Sequence, residues 1–148
     1  MDTIYSIVKH LHSINRWVIL VFLLVAIFGA LTKWFGNKDY TAQDKKTALL
    51  AMTFAHVQLL LGLALLYLSP KVSFAEGWRD APIYRYFGSA HLIMMIVAIV
   101  LITIGYSVAK RQSKPKTKFL ITWVFYLLGL LVMLGGIPWN GKHGAGWY

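Results

Sequence analysis

The 148-residue sequence contains no cysteine. That absence excludes disulfides, thiol catalysis, thiolate-ligated iron–sulfur clusters and covalent attachment of c-type haem. Acidic residues are scarce as well, with five against 15 lysines and arginines. All five lie in the N-terminal tail or in predicted loops: Asp2, Asp39, Asp44, Glu76 and Asp80. Because proton pumps and ion-coupled transporters usually place carboxylates at mid-membrane, the sequence disfavours that class.

Hydrophobic residues make up 58% of the chain and charged residues 14%. Four apolar runs predict membrane spans at about 13–33, 48–68, 87–109 and 118–137, each near the roughly 20 residues that a spanning helix requires. The runs lack the alternation of a membrane barrel, and backbone amides in lipid must be satisfied internally. We therefore predict an all-α, integral membrane four-helix up-down bundle that forms a single transmembrane domain over residues 1–148. Small residues expected at helix contacts are Gly29, Gly62, Gly88, Gly105 and Gly129.

The net charge of +10 is read as a topology signal, and no nucleic-acid partner is predicted. Lysines and arginines are more frequent around the first and third predicted loops than on the opposite side. By the positive-inside rule, this bias predicts both termini outside a bacterial inner membrane. The residues around loops one and three are Lys33, Lys38, Lys45, Lys46, Lys110, Arg111, Lys114, Lys116 and Lys118.

Two histidines stand just before the first apolar run, in the stretch "KHLHSINRWVIL". In a helix His10 and His12 differ by about 200 degrees, so they cannot share a face. His12 instead groups with Asn15 and Arg16, which follow three and four residues later. We expect His12 to face inward and His10 to lie at the membrane interface.

His91 lies near the start of the third run, which enters the membrane from the same side as the first. The depths of His12 and His91 can therefore agree to within a turn or two. Two imidazoles on facing helices commonly ligate the iron of a b-type haem, which needs no covalent attachment. Arg16 or Arg85 could then pair with the haem propionates, and Gly88 would leave space for a flat ring.

His56 lies near the middle of the second run and is a third candidate for a haem ligand. The alternative is a structural role, because Tyr126 in the fourth run lies at a similar depth and could form a hydrogen bond with His56. Gln58 is close by. It could line a quinone pocket, although glutamines in spans more often join helices.

Two other functions compete with haem binding. Histidines near a membrane interface are often simple anchors, so the chain could be a cofactor-free accessory or assembly subunit of a larger membrane complex. A copper site is a further alternative, with His91, Met94 and His143 as ligands, since thioethers suit Cu(I).

Four stretches in this order resemble small four-helix bacterial membrane proteins labelled cytochrome-b-like: "LHSINRW", "AHVQLLLG", "SAHLIMM" and "IPWNGKHGAGWY". The resemblance covers nearly the whole chain. It implies haem b, with His12, His56 and His91 as the matching histidines, and electron transfer in a respiratory chain. The resemblance favours an electron carrier or a subunit over a self-contained enzyme. Its expected partners are the lipid bilayer, a quinone or respiratory complex, and other copies in an oligomer.

Overall fold

Four long helices form the described part of the chain. The computed structural model describes residues 2–139 and shows helices and turns, without a strand, in that range. The helices are α1 (Asp2–Phe35), α2 (Ala42–Leu68), α3 (Pro82–Arg111) and α4 (Pro115–Gly136). Each is long and apolar enough to cross a membrane. The predicted all-α four-helix fold is confirmed, and the helices indicate a multi-pass membrane protein.

The helix ends carry recognisable sequence signals. Thr41 caps α2 in a capping box, in which its hydroxyl accepts from the amide of Asp44 while the Asp44 carboxylate accepts from the amide of Thr41. Pro82 and Pro115 stand in the first turns of α3 and α4, where a missing amide hydrogen costs nothing. These helices extend beyond the predicted spans because the spans follow apolar runs, whereas helical hydrogen bonding continues through polar residues. The extension is largest in α1, which begins at Asp2.

The four helices form a ring in which each contacts its two neighbours. α1 packs against α2 and α4, and α3 closes the ring by packing against α2 and α4. The short α1–α2 and α3–α4 connections lie at one end of the bundle, and the longer α2–α3 connection lies at the other. The largest fully buried side chains are Tyr126, Phe119, Ile19, Leu23 and Ile102.

The α3–α4 pair makes its closest approach through glycine. A Cβ at Gly129 would meet the side chain of Ile102 and lie 3.1 Å from the carbonyl oxygen of Ala98. A Cβ at Gly105 would overlap the side chain of Phe125. By contrast, a Cβ at Gly29 in α1 would meet nothing within 4 Å, so the helix contact predicted at this glycine is wrong.

The α2–α3 pair is the least closely packed of the four neighbouring pairs, and we call it the α2–α3 seam. α3 itself is not uniform. It starts with an α-helical turn at Pro82–Arg85, continues as a π-helical turn at Tyr86–Ala90, and is α-helical over His91–Arg111. The π-helical turn is closed by the amide of His91, which donates to the carbonyl of Tyr86. Such turns place one extra residue in a helix and are frequent at functional sites.

Candidate functional site

His12 and His91 lie side by side inside the bundle. Their ring centroids are 6.4 Å apart, with 61° between the ring planes. One comes from α1 and the other from α3, which are diagonal members of the ring. The structure therefore brings together the two histidines for which the sequence predicts similar depth.

A buried amide network fixes α1 against α2 beside these rings. The Asn15 side chain donates to Gln58 Oε1 at 2.8 Å and to the carbonyl of Phe54 at 3.0 Å. Gln58 Nε2 in turn donates to the carbonyl of His12 at 2.9 Å. Both amide side chains are buried. Gln58 thus joins two helices, and it holds the backbone of His12 in place.

The His12 ring packs against a glycine of α2. A Cβ at Gly62 would lie 3.5 Å from His12 Cε1, in ordinary van der Waals contact with the ring. His12 Nδ1 is buried and has no hydrogen-bond partner among residues 2–139. A buried nitrogen without a partner costs free energy, and a bound ligand or metal ion that contacted this nitrogen would offset that cost.

His91 is held by the end of α4. Its Nδ1 donates to the carbonyl of Gly136 at 2.8 Å, and the Tyr86 hydroxyl donates to the same oxygen at 2.7 Å. This carbonyl lies in the last turn of α4, where helix carbonyls lack intrahelical partners. With its proton on Nδ1, the ring presents the lone pair of Nε2. This is the arrangement that metal-ligating histidines usually have.

Two adjoining cavities of about 140 and 110 Å³ surround the two rings. The first has a basic side with Lys9, Arg16 and Lys71. The second opens along the α2–α3 seam between apolar side chains. The residues shared by both cavities are His12, Gln58, Leu65, Ser69, His91, Met95 and Met133. The apolar residues along the seam are Leu59, Leu66, Val72, Phe87, Leu92 and Ile99. The site therefore suits an amphipathic ligand with an acidic end and an apolar body.

The two arginines that the sequence offers as partners for a haem propionate, Arg16 and Arg85, differ in position. Arg16 lines the first cavity one turn from His12, with its guanidinium carbon 5.3 Å from the Trp17 ring centroid. Arg85 is exposed and lines neither cavity. Arg16 is thus the arginine that the structure brings to the histidine pair.

The structure does not bring His56 to the other two histidines. Its side chain is exposed, with Nδ1 donating to the carbonyl of Met52 at 2.8 Å and Nε2 lying 3.4 Å from the hydroxyl of Thr103 across the α2–α3 seam. The alternative, a hydrogen bond between His56 and Tyr126, is not formed, because the Tyr126 hydroxyl donates to the carbonyl of Ala48. The side chain of His56 lines neither of the two cavities beside His12 and His91.

His10 lies outside the site as well. Its side chain is exposed on α1, and Nδ1 donates to the carbonyl of Ser6 at 2.6 Å. His10 and His12 thus lie on different faces of α1, as helical spacing predicts.

Gly88 and Met94, two residues near His91 for which the sequence suggests a role at the site, line neither cavity. A Cβ at Gly88 would contact Trp78 and Phe74 of the α2–α3 connection, so the space predicted there for a flat ring is wrong. Met94 packs against the glycines that end α4, while Met95 lines both cavities.

The copper alternative gains no support from residues 2–139. This part of the chain contains no group of three or more histidine, cysteine or acidic residues placed to hold a metal ion. Its Met94 ligand packs against the glycines that end α4 and lines neither cavity. His143, its third ligand, lies outside the described residues.

Several site residues carry no signal that would identify them without the structure. Met95, Met133 and the Gly136 carbonyl are of this kind, because apolar residues and backbone groups are present throughout the helices. Gly62 is different. It follows Gln58 by four residues and precedes Leu65 by three, so these residues share one face of α2. The sequence predicts Gly62 at a helix contact, and its packing against the His12 ring of α1 confirms that prediction.

The donor groups at the site are suitable for a b-type haem, which two imidazoles on facing helices can hold. The two cavities are together smaller than the roughly 300–1,000 Å³ of a typical ligand pocket. A macrocycle would need more space than these cavities provide, and separation of α2 and α3, the least closely packed neighbours, would make room for it. Comparisons with protein-family models, with curated proteins and with solved structures found no match to the chain.

Proposed function

We propose that the chain is a b-type cytochrome-like electron-transfer protein with one haem, located near the outer face of a bacterial inner membrane. It would pass electrons between a membrane quinol or a dehydrogenase and an outer redox partner. One observation carries the proposal: His12 and His91, from diagonal helices, lie 6.4 Å apart beside a cavity with a basic side and an apolar side.

Each part of the site has a role in holding such a group. His12 and His91 would hold the haem iron, and the bond from His91 Nδ1 to the Gly136 carbonyl would orient that ring and raise its basicity. Arg16 would pair with a propionate. The apolar side along the α2–α3 seam would exclude water from the macrocycle. When bound, the haem would supply one-electron chemistry that no side chain here provides.

The test is a reduced-minus-oxidised absorption spectrum of the protein purified after expression with adequate haem. We expect a b-type spectrum from the wild type and its loss in His12→Ala and in His91→Ala. His10→Ala removes an exposed histidine from the same helix as His12 and should keep the spectrum. His56→Ala should keep it as well, because His56 lies outside the cavities.

Gel filtration in detergent would show whether each variant is still folded and monodisperse. A folded wild type without a haem spectrum would overturn the proposal. Loss of the spectrum in His56→Ala alone would replace the proposed ligand pair with one that includes His56.

A cofactor-free accessory or assembly subunit is a second candidate, favoured by an exposed apolar stripe on α1. Its residues recur at intervals of three, four or seven, which match the heptad spacing of helices that pack against a partner helix. The stripe contains Ile4, Ile7, Leu11, Ile14, Val21, Val25 and Phe28. Co-purification with a large complex, without pigment and with normal assembly of a His12→Ala/His91→Ala variant, would support this function over haem binding.

A further inference from the structure

A small cavity lies at the opposite end of the bundle from His12 and His91. It has a volume of about 90 Å³ and is formed between the start of α2, the end of α3 and the start of α4. Three lysines and two tyrosines line it: Tyr40, Lys45, Tyr106, Lys110 and Lys118. We call it the lysine–tyrosine cavity.

The polar groups of this lining are cationic or hydroxyl groups, and no carboxylate is among them. The ion pair recorded within residues 2–139 joins Lys33 to Asp44, so it leaves the three lining lysines without a carboxylate partner in that range. The Lys118 ammonium lies 5.1 Å from the Tyr40 ring centroid, a cation–π contact that holds it over the ring. Three like charges around one space repel each other, and a bound anion would relieve that repulsion.

The tyrosines add hydrogen-bond donors to the cavity. Neither the Tyr40 nor the Tyr106 hydroxyl has a hydrogen bond recorded within residues 2–139. Burial raises the pKa of Tyr40 to about 12, with smaller contributions from the charge of Asp44 and from Tyr106. Tyr40 therefore keeps its proton at physiological pH and can donate it to an anion.

The position of the cavity indicates the source of that anion. It lies where membrane-crossing helices end, which is the level of the lipid headgroups, and basic pockets between such helices bind anionic headgroups. It also lies at one end of the α2–α3 seam. Leu49, one turn along α2 from Lys45, is exposed and offers an apolar surface to an acyl chain.

We propose that the lysine–tyrosine cavity binds the phosphate group of an anionic phospholipid. The three lysines neutralise the phosphate charge, and the two tyrosine hydroxyls donate hydrogen bonds to its oxygens. The acyl chains lie against the lipid-facing surface beside the α2–α3 seam. The site is independent of any haem at the other end of the bundle.

The test compares lipid binding by two variants that lose the same charge at the same end of the bundle. The site variant is Lys45→Gln/Lys110→Gln/Lys118→Gln. The control is Lys46→Gln/Arg111→Gln/Lys114→Gln, whose residues neighbour the site in sequence but do not line the cavity. Binding of phosphatidylglycerol and of phosphatidylcholine with identical acyl chains is measured by native mass spectrometry of the full-length protein in neutral detergent.

We expect the wild type and the control to prefer phosphatidylglycerol and the site variant to lose that preference. Each lysine should contribute roughly fivefold to the binding of an anionic lipid. Equal losses in the two variants would show general charge attraction and overturn the site. If the site variant does not fold, Tyr106→Phe and Lys118→Gln should each still weaken phosphatidylglycerol binding, and unchanged binding in both would overturn the proposal.

A further arm separates the lipid from free phosphate. Inorganic phosphate is added at increasing concentration to the wild type loaded with phosphatidylglycerol. We expect millimolar phosphate to leave the lipid bound, because acyl chains add contacts that the free ion lacks. Displacement at low phosphate concentration, with tight binding of phosphate itself, would overturn the lipid assignment.

Discussion

The two sides of α3 contrast in how closely they pack. Towards α4, Gly105 and Gly129 bring the backbones close, and a single added carbon atom would overlap a neighbour. Towards α2, packing is looser, and the polar contact recorded there is the 3.4 Å approach of His56 to Thr103. Lipid supplies no hydrophobic driving force between helices, so close van der Waals contact decides which pairs are held firmly.

This contrast shows how α3 can be held firmly on its α4 side and still be able to move relative to α2. The α3–α4 pair holds His91 through the Gly136 carbonyl, whereas the α2–α3 seam borders the cavities where the haem is proposed to lie. Opening the seam would make room for a macrocycle without moving His91 away from α4.

Replacement of a glycine at the close pair should have the largest effect. Gly129→Leu would force a side chain against Ile102 and the backbone carbonyl of Ala98, which cannot move cheaply. We expect a loss of about 3 kcal/mol in the free energy of unfolding. Gly29→Leu is the matched control, since a Cβ there meets nothing within 4 Å. Denaturant titration in detergent measures both, and similar losses in the two variants would contradict the packing contrast.

Removal of the amide network should have the next largest effect. Gln58→Leu would leave the Asn15 side chain without one acceptor and would remove the side-chain donor to the His12 carbonyl. Because α2 is already loosely packed on its α3 side, losing its bonds to α1 should cost about 2 kcal/mol. The same titration measures the cost. A double variant, Asn15→Leu/Gln58→Leu, should recover part of it, and a further additive loss would argue against a shared network.

Bridging the α2–α3 seam should slow uptake of the proposed haem while leaving the fold intact. The chain has no native cysteine, so a His56→Cys/Thr103→Cys variant can be bridged selectively with a short bifunctional thiol reagent. We expect haem uptake by the bridged protein to be slower by about tenfold, equivalent to about 1.4 kcal/mol. The unbridged variant is the control. Equal uptake rates would show that the seam does not open for the cofactor.

Loss of the seam contact itself should have the smallest effect. Thr103→Val keeps the side-chain shape but removes the hydroxyl near His56. At 3.4 Å and on an exposed face this contact is weak, so we expect a change of less than about 0.5 kcal/mol in the free energy of unfolding. A loss comparable to that of Gln58→Leu would mean that the seam is held more firmly than its packing indicates.

The fold could be predicted because its signal is local. Apolar runs of sufficient length require helices in lipid, and this argument needs no tertiary information. The ends of the helices were harder to predict from the sequence. Polar residues such as those between Asp2 and Arg16 continue α1 well before its apolar run, since a helix remains hydrogen-bonded whatever its side chains are.

The candidate site was predictable only in part. The depth of a residue along a membrane helix is easier to predict from the sequence than the direction in which its side chain points. Residue counting along α1 and α3 places His12 and His91 at comparable depth, and the 100-degree step separates His10 from His12. Counting alone cannot give the rotation of a helix about its own axis. In α2 that rotation points Gln58 inward and leaves His56, which is about 200 degrees away on the helix, exposed.

The π-helical turn before His91 also has a consequence for sequence change. A turn of this kind accommodates one additional residue, so deleting a residue within Tyr86–Ala90 would restore an ordinary α-helical register. His91–Arg111 would keep its glycine-mediated fit to α4, while everything before the turn would rotate by about 100 degrees. The Tyr86 hydroxyl would then lose the Gly136 carbonyl. We infer that the α2–α3 connection can vary in length through this point while the bundle behind it stays unchanged.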